Sequence, residues 1–187
     1  MKRNLMLFLC CSLVLVFSGC RQKGTEKITL SAEYPAYQNL SEMSSKADMV
    51  IQGEITGSKF QMLDIGIDPK SNDPKLNPGG KIDHTKLPYT VYDVKVSEVF
   101  KGKAEKGDTI QLKQLGGDDG KKQYVCAETR SFKAKSDYIF FLSVFNGSPA
   151  SLINPTQGVY DVEDGKIAAD TKNPVKIEGF QQLRSIE

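Results

Sequence analysis

Cysteine and histidine are the residue types in this sequence that could support nucleophilic or metal chemistry. The chain has four cysteines, Cys10, Cys11, Cys20 and Cys126, and one histidine, His84. A zinc site needs a cluster of such residues, and the sequence contains neither a CxxC pair nor an HExxH motif. Cys126 and His84 could form a nucleophilic pair, but His84 lies among turn formers, where a solvated histidine is the better interpretation. We therefore expect no metal and no cofactor.

Cys126 stands in the short apolar sequence Tyr-Val-Cys-Ala. A buried free cysteine commonly behaves as a small hydrophobic residue, and we favour this interpretation for Cys126. The alternative is a reactive thiol, which would make the protein a thiol-dependent hydrolase. Solvent access to the Cys126 side chain would distinguish the two.

Oxygen ligands occur in a segment that is rich in turn formers. Asp64, Asp68, Asn72 and Asp73 offer the hard oxygens that calcium prefers, but their spacing departs from the twelve-residue calcium loop and lacks its closing glutamate. We predict no metal there. Together with His84, the three aspartates are instead candidate ligand-binding residues of a long loop.

Phosphate-binding motifs of the types GxxxxGK and GxGxxG are not found in the sequence. Gly116 and Gly117 are followed by Asp118 and Asp119, which would repel a phosphate group. These observations argue against a nucleotide-binding site.

The amino-terminal residues have the pattern of an export signal. Lys2 and Arg3 precede an uncharged apolar run over residues 5–17, and the small residues Ser18 and Gly19 follow it. The run is shorter than the roughly 20 residues that a permanent membrane-spanning helix needs. We predict that residues 1–19 are a signal peptide, cleaved between Gly19 and Cys20.

The sequence Phe17-Ser18-Gly19-Cys20 resembles the lipobox of bacterial lipoproteins, although that pattern prefers leucine where Phe17 stands. The resemblance implies a diacylglycerol thioether on Cys20 and acylation of its new amino group. Several acyl chains hold a protein stably on a bilayer, whereas one holds it only marginally. We therefore expect lipid anchoring through Cys20 at the extracytoplasmic face of the cell membrane.

Removal of the signal peptide changes the charge balance and the cysteine count. The precursor has 25 basic and 23 acidic residues, and loss of Lys2 and Arg3 leaves 23 of each, so the mature chain is formally neutral. A neutral chain without a basic stripe argues against a nucleic-acid partner. With Cys20 acylated, Cys126 has no thiol partner, so we expect no internal disulfide.

The first half of the mature chain predicts a tether, a helix and one strand. Residues 20–38 are polar and lack apolar periodicity, which is typical of a flexible tether. Residues 39–47 predict a short helix, and residues 48–56 predict a strand with a bulge or bend at Gly53. Residues 57–88 contain many turn formers and predict a long loop, which is either functional or disordered.

The second half predicts strands at short spacing. Residues 89–100 predict a long, bent strand, because their apolar side chains do not all fit on one face. The hydrophobic run over residues 137–145 predicts a strand buried on both faces, and residues 162–167 predict a tight hairpin through Asp-Gly. Further strands are predicted at residues 109–115, 124–126, 151–153 and 158–162, with a short helix after residue 174.

Three of these segments, residues 47–55, 91–102 and 136–142, resemble the netrin-like module of tissue inhibitors of metalloproteinases. The chain is also similar to small lipoproteins of Gram-positive bacteria. The netrin-like resemblance implies an OB-type antiparallel β-barrel of five strands. Those inhibitors bind the protease zinc through a free amino-terminal cysteine, whereas Cys20 here would be acylated, so the resemblance supports the fold and not inhibition.

The sequence thus predicts a mainly β protein with a single barrel domain over residues 39–187. We expect a membrane-anchored binding module in which residues 57–88 contact an extracellular protein or a cell-wall ligand, since recognition commonly occurs on loops of a rigid scaffold. The alternatives are the Cys126 hydrolase and a structural envelope protein.

Overall fold

A computed structural model of the chain describes residues 25–64, 85–170 and 172–186. The described residues form a mainly β structure, as the sequence predicts. The helices are α1 Leu40–Lys46 and α2 Phe180–Arg184. The strands are β1 Glu26–Leu30, β2 Met49–Asp64, β3 Lys86–Lys101, β4 Thr109–Leu115, β5 Gly117–Asp118, β6 Lys122–Cys126, β7 Asp137–Phe145, β8 Ser148–Leu152, β9 Val159–Glu163 and β10 Lys166–Ile167.

Five strands of the larger sheet form a partly closed ring. β2 pairs with β3, β3 with β4, and β7 with both β2 and β8, all antiparallel. A short parallel pairing of β4 with β8, in which Leu112 lies opposite Ala150 and Lys113 opposite Ser151, joins the two ends. β9 and β10 continue the sheet beyond β7.

The long strands β2 and β3 bend around this ring. Their pairing shifts register between Val50 and Ile51, between Gln52 and Gly53, and between Ile55 and Gly57. Such bulges increase the local twist of a strand and allow a sheet to curve. The predicted bulge at Gly53 is confirmed, and a side chain there would force its neighbours to shift, since an added Cβ would lie 2.7 Å from Val94 Cγ1.

The prediction of a loop over residues 57–88 is wrong at both of its ends. β2 continues to Asp64 and β3 begins at Lys86, so that these two residues lie opposite each other in the antiparallel pair. The outer ends of β2 and β3 keep a strand conformation because they pair with each other. Phe60 of β2 also stacks on Tyr124 of β6, with ring centroids 5.7 Å apart. Residues 65–84 lie outside the described residues.

The prediction of a flexible tether over residues 20–38 is wrong for residues 25–38, which we call the N-terminal arm. β1 pairs in parallel with β6, from Glu26 opposite Lys122 to Leu30 opposite Cys126. Farther along the arm, the side chain of Tyr37 is buried in the core. The arm is held because β6 supplies backbone hydrogen-bond partners that its own sequence does not reveal. Residues 20–24 lie outside the described residues.

The core has two layers, and β7 contributes to both. Tyr138, Phe140 and Leu142 belong to the cluster inside the ring. Ile139 and Phe141 belong to a second cluster that includes residues of both helices. Neighbouring residues of a strand point to opposite faces, so this division confirms the prediction that β7 is buried on both sides.

The predicted short helix near residue 40 and the predicted Asp-Gly hairpin are confirmed. Asn39 caps the amino-terminal end of α1, where its Oδ1 accepts a hydrogen bond from the Glu42 amide at 2.9 Å. β9 and β10 form the predicted hairpin, with positive φ angles of 48° at Asp164 and 70° at Gly165. This geometry is typical of a two-residue hairpin turn. The predicted carboxyl-terminal helix corresponds to α2, whose Leu183 is buried.

Candidate ligand-binding site

Most of the site residues predicted from sequence fall outside the described part of the chain. This is the case for Gly19, Cys20, Asp68, Asp73 and His84. Asp64, by contrast, is the last residue of β2. In residues 25–64, 85–170 and 172–186, no group of three or more His, Cys, Asp or Glu side chains is arranged to hold a metal ion. Within those same ranges, neither helix is long and apolar enough to cross a membrane.

Cys126 ends β6 with only 5% of its surface exposed. Its Sγ donates a hydrogen bond to Glu128 Oε2 at 2.9 Å. Burial, followed by this hydrogen bond to a carboxylate, raises the pKa of the Cys126 thiol, and the same bond lowers the pKa of Glu128. Because the thiolate is the nucleophilic form, this environment disfavours nucleophilic chemistry at neutral pH.

A cavity of about 300 Å³ lies between the N-terminal arm and the ring, and we call it the arm cavity. Its volume is at the lower end of the range of about 300–1,000 Å³ that is usual for ligand pockets. Every wall comes from a different part of the chain: the arm, β3, β4, β8 and two connecting segments. The lining residues are Ser31, Ala32, Tyr34, Leu87, Tyr89, Lys113, Gln114, Leu115, Thr129, Ser151, Leu152 and Pro155.

A second cavity of about 310 Å³, which we call the β6 cavity, adjoins the first. It lies between the end of β4, the glycines Gly116 and Gly117, and the strand β6. The two cavities share the lining residues Gln114, Leu115 and Thr129. The end of β4 is therefore the place where the two meet.

Gln114 is a polar residue in a position that would normally be apolar. Gln114 and Leu112 project from the same side of β4, and Leu112 belongs to the core of the ring. Only 6% of the Gln114 surface is exposed, and its Nε2 has no hydrogen-bond partner. A buried donor without an acceptor costs about 1–3 kcal/mol. Since native proteins satisfy most buried polar groups, the acceptor for this amide is expected from a molecule in an adjoining cavity, either water or a ligand.

Lys113 also lines the arm cavity, while its ammonium group contacts Ser148 and Phe145, which do not line it. Its Nζ donates a hydrogen bond to Ser148 Oγ at 2.7 Å. The same nitrogen lies 4.4 Å from the centre of the Phe145 ring and 5.9 Å from that of Tyr89, which are cation–π distances. Burial lowers the pKa of Lys113, so an anion beside it would stabilise its charged form.

Two tyrosines also line the arm cavity, Tyr34 from the N-terminal arm and Tyr89 from β3. Burial raises the pKa of Tyr89 and of Tyr34. For Tyr34, the neighbouring Cys126, Tyr89 and Glu128 add electrostatic contributions in the same direction. Both phenols are therefore neutral at physiological pH and act as aromatic surfaces with a weak hydrogen-bonding tip.

The sequence interpretation missed Gln114 and Lys113, although one signal was present. In the alternating pattern of residues 109–115, Gln114 takes an inward position after Ile110 and Leu112. A polar residue at an inward position of a strand is an exception to the binary pattern and is often functional. The arm wall of the cavity had no comparable signal, because its position depends on pairing with a strand distant in sequence.

A scan against protein-family models and a search of the curated proteins both find no match for this chain.

Proposed function

We propose that this chain is a lipid-anchored extracytoplasmic lipoprotein that acts as a binding module. The anchor is supported by the basic residues, the short apolar run and the sequence Phe17-Ser18-Gly19-Cys20. The binding function is supported by one observation above all, the unpartnered Gln114 amide where two cavities meet. Concave sites with a few well-placed polar groups are the usual form of ligand pockets.

We further propose that the partly closed ring is the OB-type barrel that the netrin-like resemblance implies. This proposal is supported by the number of strands and by the parallel pairing of β4 with β8 that joins the ring. OB-type barrels are small and partly open, and they bind their ligands on the surface of the barrel. The fold alone does not define the ligand, because such barrels carry many unrelated sites.

The anchor and the domain are close together in the sequence. Five residues separate Cys20 from Glu26, the first residue of β1. At about 3.5 Å per residue, this linker reaches roughly 20 Å at most. An acylated Cys20 would therefore hold β1 and the arm cavity near the bilayer surface, rather than at the end of a long tether.

The anchor is tested by metabolic labelling of intact cells with radioactive palmitate. We expect the label in the wild-type protein and in a Cys126→Ser control, because only Cys20 follows a cleavage site. A Cys20→Ser variant should remain unlabelled and retain the mass of the signal peptide. Label in Cys20→Ser, or an unlabelled and uncleaved wild-type chain, would contradict lipid anchoring.

The binding function is tested by crosslinking in intact cells followed by mass spectrometry. Residues 65–84 connect β2 to β3 and are our proposed contact with an extracellular protein or cell-wall ligand. We expect the wild type to crosslink to a specific partner that a chain lacking residues 65–84 fails to capture. An unchanged set of partners would exclude this segment, and recovery of nothing specific would favour the alternative of a structural envelope protein.

A further inference from the structure

The β6 cavity lies on the inward face of β3 and β4. Thr90 and Tyr92 of β3 and Gln114 of β4 line it, and Thr90 lies directly opposite Gln114 in the antiparallel pair. Tyr92 lies opposite Leu112, and both belong to the core of the ring. Residues two apart in a strand share a face, so the three lining side chains project to the same side of the sheet. The Gln114 side chain is therefore on the side of β4 that this cavity occupies.

The wall of the β6 cavity passes from buried to exposed residues. Gln114 and Tyr92 are only 6% and 7% exposed. Asp118, Gln123 and Ser131, which line the same cavity, are exposed and polar. A ligand that complements this wall has a short group that reaches inward and polar groups that stay at the rim, where they remain in contact with water.

The buried part of the wall supplies a hydrogen-bond donor. The Gln114 Nε2 carries two N–H groups and has no acceptor among the described residues. The last torsion of a glutamine side chain is broad, so the amide turns toward an acceptor at little cost. A carbonyl oxygen is a suitable acceptor, because it forms the same kind of hydrogen bond that amides form throughout the protein backbone.

The charges on this wall are balanced. Arg130 and Asp118 are the charged residues among the described residues that line the cavity. The Arg130 guanidinium donates to both carboxylate oxygens of Asp161 at 2.8 Å, and Asp118 Oδ1 accepts a hydrogen bond from the Gly120 amide at 2.7 Å. An ion that leaves water needs a partner of opposite charge, so this wall favours a neutral ligand.

We propose that the β6 cavity binds a single neutral sugar ring that carries an acetamido group. The acetamido carbonyl accepts a hydrogen bond from Gln114 Nε2, its methyl group packs beside Tyr92, and the ring hydroxyls lie at the polar rim. The cavity volume of about 310 Å³ is suited to one such ring. This inference rests on the proposed binding function and names its ligand class. It does not depend on the lipid anchor or on residues 65–84.

The proposal is tested by titrating the full mature chain, in a detergent without a sugar headgroup, with methyl N-acetyl-β-glucosaminide. Calorimetry and saturation-transfer NMR should show saturable binding, with the strongest transfer at the acetyl methyl protons. Methyl β-glucoside has a hydroxyl in place of the acetamido group and should bind at least about ten-fold more weakly, since it leaves the buried donor unpaired. No saturable binding would mean that water alone satisfies the amide, and this result, or equal binding of the two sugars, would overturn the assignment.

Three variants locate the bound sugar. Gln114→Met keeps the volume but removes the donor, and it should weaken binding by about ten-fold. Ser131→Phe places a ring at the exposed rim and should also weaken binding. Lys113→Met is the matched control, because Lys113 is the preceding residue of β4 and lines the arm cavity but not the β6 cavity. Unchanged binding in Gln114→Met, or an equal loss in Lys113→Met, would overturn the proposal.

A stability measurement separates ligand binding from a purely structural role of Gln114. Methionine removes the orphaned donor, so Gln114→Met should melt at or above the wild-type temperature without sugar and lose the sugar-induced rise. A rise equal to that of the wild type would contradict the assignment. If Gln114→Met fails to fold, Ser131→Phe decides the outcome by the same readout. Failure of these tests leaves the palmitate label and the crosslinked partner unchanged, so it is distinguishable from failure of the proposed function.

Discussion

The side-chain amide of Gln157 forms hydrogen bonds with both backbone groups of Tyr37. The Tyr37 N–H donates to Gln157 Oε1 at 2.8 Å, and Gln157 Nε2 donates to the Tyr37 carbonyl at 2.9 Å. Both residues are buried. The Gln157 amide thus forms the two hydrogen bonds that a neighbouring strand would otherwise form with the Tyr37 backbone. It holds the end of the N-terminal arm in place just before α1. It also helps to keep the arm wall of the cavity in place.

Replacing Gln157 should loosen the arm. Gln157→Leu removes both hydrogen bonds and leaves two buried backbone groups of Tyr37 unpaired, so we expect the free energy of unfolding to fall by about 2–4 kcal/mol. Urea denaturation measures the loss, and hydrogen exchange at the Tyr37 amide should become faster. The exposed control Gln111→Leu should change the free energy by less than about 0.5 kcal/mol. An equal loss in both variants would contradict this role for Gln157.

The two glycines of β2 should respond differently to alanine. At Gly53 an added Cβ would lie 2.7 Å from Val94 Cγ1 and 2.8 Å from the Lys95 carbonyl oxygen, whereas at Gly57 the nearest atom is 3.5 Å away. We expect Gly53→Ala to lower the free energy of unfolding by about 1–3 kcal/mol. Gly57→Ala should be close to neutral. Denaturant titration of the two variants side by side provides the test. Equal free energies of unfolding for Gly53→Ala and Gly57→Ala would contradict the prediction.

Tyr160 should make the free energy of unfolding fall as the pH rises into the alkaline range. Its hydroxyl donates a hydrogen bond to the Val175 carbonyl at 3.0 Å, and burial raises its pKa. The neutral phenol therefore stabilises the fold fully below the unfolded pKa of about 10, and this contribution is lost as the pH rises above that value. We expect the stability advantage of the wild type over Tyr160→Phe to shrink between pH 8 and pH 11. An advantage that stays constant in urea titrations at both pH values would refute this linkage.

The Cys126 thiol should react slowly with iodoacetamide in the native protein. The side chain is buried and its pKa is raised, first by burial and then by the hydrogen bond to Glu128. Glu128→Gln removes the carboxylate charge, so the thiol pKa should fall and labelling at pH 8 should become several-fold faster. Peptide mass spectrometry at Cys126 measures the rate, with Glu163→Gln, an exposed carboxylate far along the chain, as the control. Rapid labelling of the wild type would revive the alternative of a thiol-dependent hydrolase.

Local sequence patterns predicted several elements with their bounds. β4 and β7 begin and end where the alternating and continuous apolar patterns predict, at residues 109–115 and 137–145. Asn39 caps α1, and Asp164 and Gly165 form a hairpin turn, because each of these residues has a strong local conformational preference. In such segments the information that defines the structure lies within a few residues of the chain.

The prediction failed where partners distant in sequence determine the structure. The outer part of β2, from Gly57 to Asp64, alternates poorly and is partly exposed on both faces, so no burial pattern marks it as a strand. Its strand conformation comes from pairing with β3. β1 shows the same effect, because it is ordered by a parallel partner, β6, that lies about a hundred residues away.

The sequence by itself determined the predicted anchor motif, the mainly β class and the tight turns. Only the tertiary structure decided how β4 and β8 join the ring, where the N-terminal arm lies, and that Gln114 is buried without an acceptor. The physical reason is the range of the interactions. Conformational preferences act over a few neighbouring residues, whereas a cavity wall and an unpaired donor depend on which distant segments of the chain pack together.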